Sequence, residues 1–236
     1  DMYLLYALEE HKELRKIPIV FSVNLNIDSV GKWDALLKHA RLHNLTVFPY
    51  VHISRSLNRD YERLVKLCET LVNTYEVHTV SILVNEGCFR WCPYKSSHDA
   101  YIALSQQPLT FHPFPFTPFN IPYSCETVWL RDVVEVVRSP FIRPEDVDKL
   151  PHNTLPIVYK IAGRTFDTQR LLTTINAYIT RRWVGDLLYL LDACSVLRHH
   201  GYVMLNHLFP EDFYSVVSRC NQTCSKCTYC ENVVAQ

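Results

Sequence analysis

The densest chemistry in the sequence is sulfur. Four of the nine cysteines fall within eleven residues near the C-terminus, as Cys220-x3-Cys224-x2-Cys227-x2-Cys230. Four thiolates so closely spaced can converge on one [4Fe–4S] cluster or on one tetrahedral zinc ion. A second pair sits in Asn85-Glu86-Gly87-Cys88-Phe89-Arg90-Trp91-Cys92-Pro93, with His98 close behind and Cys125 at the far end of a long loop. Cys88 and Cys92 can meet a common metal across a tight turn, and Gly87 allows close approach of the backbone. Cys125 is the candidate third ligand, with a fourth from the tail or from outside the protein. The competing reading is a loop with buried thiols. Clustering and an odd count both favour metal over a disulfide framework. Cys68 and Cys194 lie on apolar helix faces and read as core residues.

The first three tail cysteines also match the x3, x2 spacing of radical S-adenosylmethionine enzymes. That motif follows the first strand of a barrel and leaves one iron open, whereas here a fourth cysteine would fill it and only six residues follow Cys230.

A third group of residues suits anions. Tyr159-Lys160-Ile161-Ala162-Gly163-Arg164 reads as a strand delivering an arginine to a helix N-terminus, where carboxylate or phosphate binds well. Arg143, in Ser139-Pro140-Phe141-Ile142-Arg143-Pro144-Glu145-Asp146, has the same reading. A structural ion pair is the alternative for both. Asn85 and His98 complete the candidate substrate contacts. No Gly-rich phosphate loop, Gly-x-Ser-x-Gly elbow or His-Glu-x-x-His zinc motif is present in the sequence.

The elements that must position these residues alternate between strand and helix. Strands are expected at Ile19 to Leu25, Leu45 to Ile53, His78 to Val84, Val133 to Arg138 and Pro156 to Ile161. Helices are expected over 3–14, after the Asp28-Ser29 cap, across Leu64 to Val72, from Pro144, from Asp167 to Arg182, and from Asp186 to His199. The proline-rich stretch Pro108 to Pro122 lies in the long loop. Buried-type strands alternating with helices imply a parallel sheet. A partial or complete (β/α) barrel over residues 1–210 is the first expectation, with a Cys-rich tail, 211–236, packed on it; a doubly wound open sheet is second. In both, chemistry gathers at the C-terminal strand ends, which selects Asn26, Ser54, Asn85, Cys88, Ser139, Arg143 and Arg164.

The 236 residues are 48% apolar, and 24 basic residues balance 24 acidic ones. Bulk electrostatics therefore do not call for nucleic acid, although RNA stays open as a substrate. No apolar run reaches membrane-spanning length, so no span is predicted. The start, at Asp1, lacks the pattern of a signal peptide, and a cytoplasmic, truncated or processed chain is expected.

Val84-Asn85-Glu86-Gly87-Cys88, Cys92-Pro93 and His98 together resemble the "Asn-x-Gly-Cys … Cys-Pro … His" segment of the U32 family, historically called peptidases. The Ser139 to Asp146 segment and the Tyr159 to Arg164 block, completed by Ala177-Tyr178, resemble that family's "Lys-Ile-x-Gly-Arg, then helix, then Tyr". The resemblance spans about residues 80–185. It implies a TIM-barrel-like domain with a cysteine-bound [4Fe–4S] cluster. It also implies oxygen-independent hydroxylation of ubiquinone precursors or RNA. The dense C-terminal cysteine set departs from the family's usual arrangement.

Three functions follow as expectations. The first is a redox or hydroxylation-type enzyme with one or two clusters, acting on an anionic substrate. The second is a non-catalytic zinc module serving assembly with a partner subunit. The third, from the family's old name alone, is a peptidase.

Overall fold

The computed structural model describes residues 7–8, 10–105, 124–152, 155–163 and 166–235, the side chains of 101–105 excepted. Part of the expected 3–14 helix, the proline-rich stretch and Arg164 lie outside the described residues.

At the centre stands a parallel sheet of three strands in the order β1 (Tyr50–His52), β2 (Thr79–Leu83) and β3 (Ile157–Lys160). Its register pairs Val51 with Val80 and Ile82 with Tyr159. Single parallel bridges, Ile19 to Val47 and Ile27 to Ile53, place the expected first strand beside β1. Between those bridges the chain curls into a 3-10 turn, Val23–Leu25, capped by the Ser22 side chain.

Three helices follow their apolar periodicity. They are α1 (Val30–Leu42), α2 (Tyr61–Tyr75) and α6 (Thr168–Thr180). Each begins at a residue whose side-chain oxygen accepts from the third backbone N–H beyond it: Ser29 from Lys32, Asp60 from Arg63, Asp167 from Arg170. Such caps satisfy donors that the first helical turn leaves unpaired. Leu64, Leu67, Cys68 and Leu71 of α2 bury one face, as the i, i+3, i+4, i+7 spacing requires. They join Trp33 of α1 and Val51, Val80 and Ile82 of the sheet in one core.

The shorter helices are α3 (Lys95–Ser105), α4 (Cys125–Arg131), α5 (Val134–Val137), α7 (Phe213–Val217) and α8 (Tyr229–Val234). A second core gathers Trp129, Val136, Phe141, Leu188, Phe213 and Val233 from these helices and their connections. The tail is thus anchored by Phe213, Val217 and Val233.

The described residues form a small α/β fold with three sheet strands, and not the expected (β/α) barrel, partial or complete. Local chemistry explains the shortfall. Val133 to Arg138, read as a strand from its β-branched run, is the helical turn α5. The Asp132 carboxylate accepts from Val134 N at 3.1 Å, and Arg138 bonds Glu135 one turn back at 2.6 Å. These close bonds outweigh β propensity, which is weak and context-dependent. The helix expected over 186–199 is two 3-10 segments, Leu187–Tyr189 and Cys194–His200. Asp192, between them, makes a parallel bridge to Glu86. The helix expected at Pro144 is likewise a 3-10 segment, Pro144–Lys149. No helix among the described residues is long and apolar enough to cross a membrane.

Candidate functional site

The C-terminal ends of β1 and β2 meet as the parallel-sheet rule requires. After β1 the chain passes Ser54 and forms a 3-10 segment, Arg55–Arg59, in which Arg55, Leu57, Asn58 and Arg59 are buried. Asn58 donates from Nδ2 to Leu83 O at 2.7 Å and Pro140 O at 2.9 Å. Arg55 forms a buried ion pair with Glu86, and Arg90 Nε donates to Ser56 O at 2.9 Å. The loop carrying Cys88 and Cys92 is thereby tied to the loop after β1.

Asn85 closes the end of β2. It donates to Ala162 O and Leu190 O and accepts from Ala162 N, so its amide is committed within the fold. Gly87 donates to Asp192 O at 3.1 Å, and a Cβ there would lie 2.2 Å from Cys194 Sγ. The close approach read from the sequence is therefore made to the 192–194 segment.

All nine cysteines are free thiols. Cys68 and Cys194 are fully buried in the two cores, and burial pushes the Cys68 thiol up to about 12. Cys88, Cys92 and Cys125 are half-buried neighbours. Burial and then the nearby Cys92 push the Cys125 thiol up to about 11. Burial, Glu86 and Cys125 all raise the Cys88 thiol, against the opposing charge of Arg55. A bound cation would reverse this balance by favouring the thiolates.

In the tail, Cys220, Cys224 and Cys227 are exposed and Cys230 is half-buried at the start of α8. Cys220, Cys224 and Cys230 line one cavity of about 500 Å³, and Cys227 does not. Burial raises the Cys230 thiol, Arg59 and Arg138 lower it, and Cys220 and Cys224 raise it further. The cavity also takes Phe89, Arg90 and Trp91, the residues between Cys88 and Cys92, as well as Val128 of α4 and Val137. The cysteine loop and the cysteine tail thus face a shared space.

Three arginines line that space, and sequence reasoning selected none of them. Arg138 pairs with Glu135, Asp132 and Glu231. Arg90 lies over the Trp91 ring at 4.6 Å and 3.9 Å from Asp60. Arg59 is 3% exposed and stacked between Phe141 and Phe213, 4.9 Å from each centroid. Burial draws its guanidinium down to about 10, which leaves it charged near neutrality. Its place just beyond β1, at the end of the 3-10 segment Arg55–Arg59 that follows Ser54, was the available signal.

The predicted substrate contacts divide differently. Arg143 is buried and grips Asp146 with Nε at 2.6 Å and Nη2 at 3.1 Å, and Nη2 also donates to Pro210 O. This geometry is that of the structural ion pair. His98 is half-buried on α3, one residue before Asp99, whose carboxylate pairs with Lys95. Ser139 is buried and caps its own turn through Val136 O.

Thiolates are, by donor type, ligands for a thiophilic metal or an iron–sulfur cluster. Among the described residues, however, no three Cys, His, Asp or Glu side chains already converge in metal-holding geometry. Ligation would draw the sulfurs together from their present positions.

No family profile and no solved structure matches the chain. A curated protein of Methanocaldococcus jannaschii, named an uncharacterized protease, is 26% identical over 211 residues. The alignment covers 89% of this chain and 59% of that relative's length. The chain is therefore similar, over most of its own length, to part of a longer protein carrying a protease name.

Proposed function

We propose that this chain is a U32-like iron–sulfur protein whose loop cysteines, Cys88, Cys92 and Cys125, and tail cysteines, Cys220, Cys224, Cys227 and Cys230, hold one or two clusters. One observation carries the reading: the Cys88–Cys92 loop and three tail cysteines face the same cavity. Clusters there would supply one-electron chemistry, as expected of a redox or oxygen-independent hydroxylation-type enzyme. The chain's own residues would bind the substrate, exclude water with Phe89, Trp91 and Val128, and place cationic charge beside the thiolates. An anionic small molecule or RNA is the substrate class in this reading.

A protease reading draws on the name of the relative. It requires an activated nucleophile, yet burial raises the Cys88, Cys125 and Cys230 thiols, which disfavours the nucleophilic thiolate. Zinc is the alternative metal for the same thiols, in a non-catalytic assembly role with a partner subunit.

Iron and acid-labile sulfide per chain, measured after anaerobic purification of the wild type and of Cys88→Ser and Cys224→Ser, test the proposal. Stoichiometric iron and sulfide that fall in the variants are expected. Zinc without sulfide would establish the alternative, and a colourless, metal-free protein would sink both.

A further inference from the structure

Two histidines on α1 belong to neither cysteine group. His39 lies in the last turn of the helix and His43 is its C-cap. Four residues apart, they share one helix face, the spacing at which paired imidazoles chelate a metal. Their ring centroids lie 4.5 Å apart, with the planes tilted at 52°. Both residues are half-buried, so each ring is held at the surface yet reachable from solvent. Neither lines the cavity beside the cysteines.

The separation of the rings is the one that shared ligation needs. With a metal–nitrogen bond of about 2.1 Å, an imidazole centroid stands about 3.2 Å from the ion. Two rings at right angles around one ion then lie about 4.5 Å apart, whereas a tetrahedral angle would need about 5.2 Å. The observed 4.5 Å is the right-angle value. The last side-chain torsion of histidine is soft, so turning the rings brings one nitrogen of each to a common ion without moving the helix. Electrostatics act in the same direction. The C-terminal end of a helix carries partial negative charge and attracts cations. Lys38 is paired with Asp34 at 2.7 Å, and Arg41, two residues from each histidine, faces away from both.

We infer that His39 and His43 bind one divalent transition-metal ion in adjacent coordination positions, with water or an exogenous ligand completing the shell. Among the described residues no third Cys, His, Asp or Glu side chain joins them in metal-holding geometry. Right-angle nitrogen ligation suits ions of square-planar or octahedral habit, Ni²⁺ and Cu²⁺, over tetrahedral Zn²⁺. The site is separate from the thiols and does not depend on whether these carry iron.

Ni²⁺ is the probe, because Cu²⁺ would oxidise free thiols, and Mg²⁺, which takes oxygen ligands, is the control. Both are titrated calorimetrically into anaerobically purified wild type, His39→Gln, His43→Gln and Cys224→Ser. The wild type should show a Ni²⁺ site, one per chain, that Cys224→Ser keeps. Each histidine variant should weaken it by at least about tenfold, the loss usual even for residues that merely support a ligand. Ni²⁺ should raise the melting temperature of the wild type and not that of the histidine variants. Substoichiometric Ni²⁺ should also broaden the ring NMR signals of His39 and His43 in the wild type before those of any other histidine. That reading decides the matter if a histidine variant melts early without metal. Undiminished binding in either histidine variant, loss of all nickel binding in Cys224→Ser, equal binding of Mg²⁺, or earlier broadening at the adjacent His199 and His200 would each overturn the inference.

Discussion

Asn85 and Ala162 exchange two hydrogen bonds across the mouth of the sheet. Asn85 Nδ2 donates to Ala162 O at 2.9 Å, and Ala162 N donates to Asn85 Oδ1 at 2.7 Å. The same Nδ2 reaches Leu190 O at 3.0 Å. One side chain therefore imitates a strand edge and locks the end of β2 to the chain leaving β3 and to the 187–192 segment. The cysteine loop begins immediately after it.

Replacing Asn85 with Ala should cost about 2–4 kcal/mol, because backbone groups that it satisfies in a buried place are left unpaired. Urea denaturation should show a lower midpoint with an unchanged slope. A variant as stable as the wild type would mean that water substitutes for the amide, and Asn85 would return to consideration as a substrate contact.

Arg143 and Asp146 make a comparable test at the other core. Both are nearly inaccessible, at 4% and 1% side-chain exposure. Removing one charge of a buried pair leaves the other uncompensated and typically costs about 3–5 kcal/mol. Arg143→Met should therefore destabilise strongly, and Arg143→Met with Asp146→Leu should recover much of the loss. Equal destabilisation by the single and double variants would show that Lys149 and the Pro210 carbonyl, not the pair, set the energetics.

Legibility in the sequence tracked how local each determinant is. The helices α1, α2 and α6 carry their own periodicity and caps, and each was placed from those signals. The strands β1 to β3 were found as apolar, β-branched runs, but Val133 to Arg138 has the same composition. Only the bonds of Asp132 and Arg138 make it a helical turn. The cysteine spacing raised the expectation of metal chemistry without saying which sulfurs approach one another, because that depends on long-range packing of the loop and the tail. Arg59 was invisible for a related reason. An arginine before a helix N-cap usually faces solvent, and only the meeting of Ser139, Phe141 and Phe213 around it turns it into a cavity wall.

Acid should weaken the fold through His52. Burial, followed by the charge of Lys160, pulls its pKa down to about 4, and its Nδ1 is buried without a partner. The unfolded chain takes up a proton near the ordinary histidine value, whereas the folded chain resists it. Stability from this group is thus fully present above about pH 6.5 and is lost as pH falls towards 4. The ring is only partly buried, so solvent screening reduces the effect to about 1–2 kcal/mol. His52→Gln, which cannot titrate, should flatten the stability profile between pH 6.5 and 4. An unchanged slope in that variant would assign the acid sensitivity elsewhere.

Gly87 links the cysteine loop to the second core through steric fit. A methyl group there would meet Cys194 Sγ at 2.2 Å, Cys194 Cβ at 3.0 Å and Asp192 O at 3.0 Å. Cys194 is fully buried and cannot swing away freely, so the loop itself must shift. Gly87→Ala should cost about 1–3 kcal/mol, the usual range for overpacking. On the proposed cluster reading, in which Cys88 is a ligand, any iron retained per chain should fall as well. Adding Cys194→Ala removes the nearest atom but leaves the Asp192 carbonyl, so stability should recover in part and iron with it. Recovery of stability without recovery of iron would separate the packing role of this glycine from any influence on the cysteines beside it.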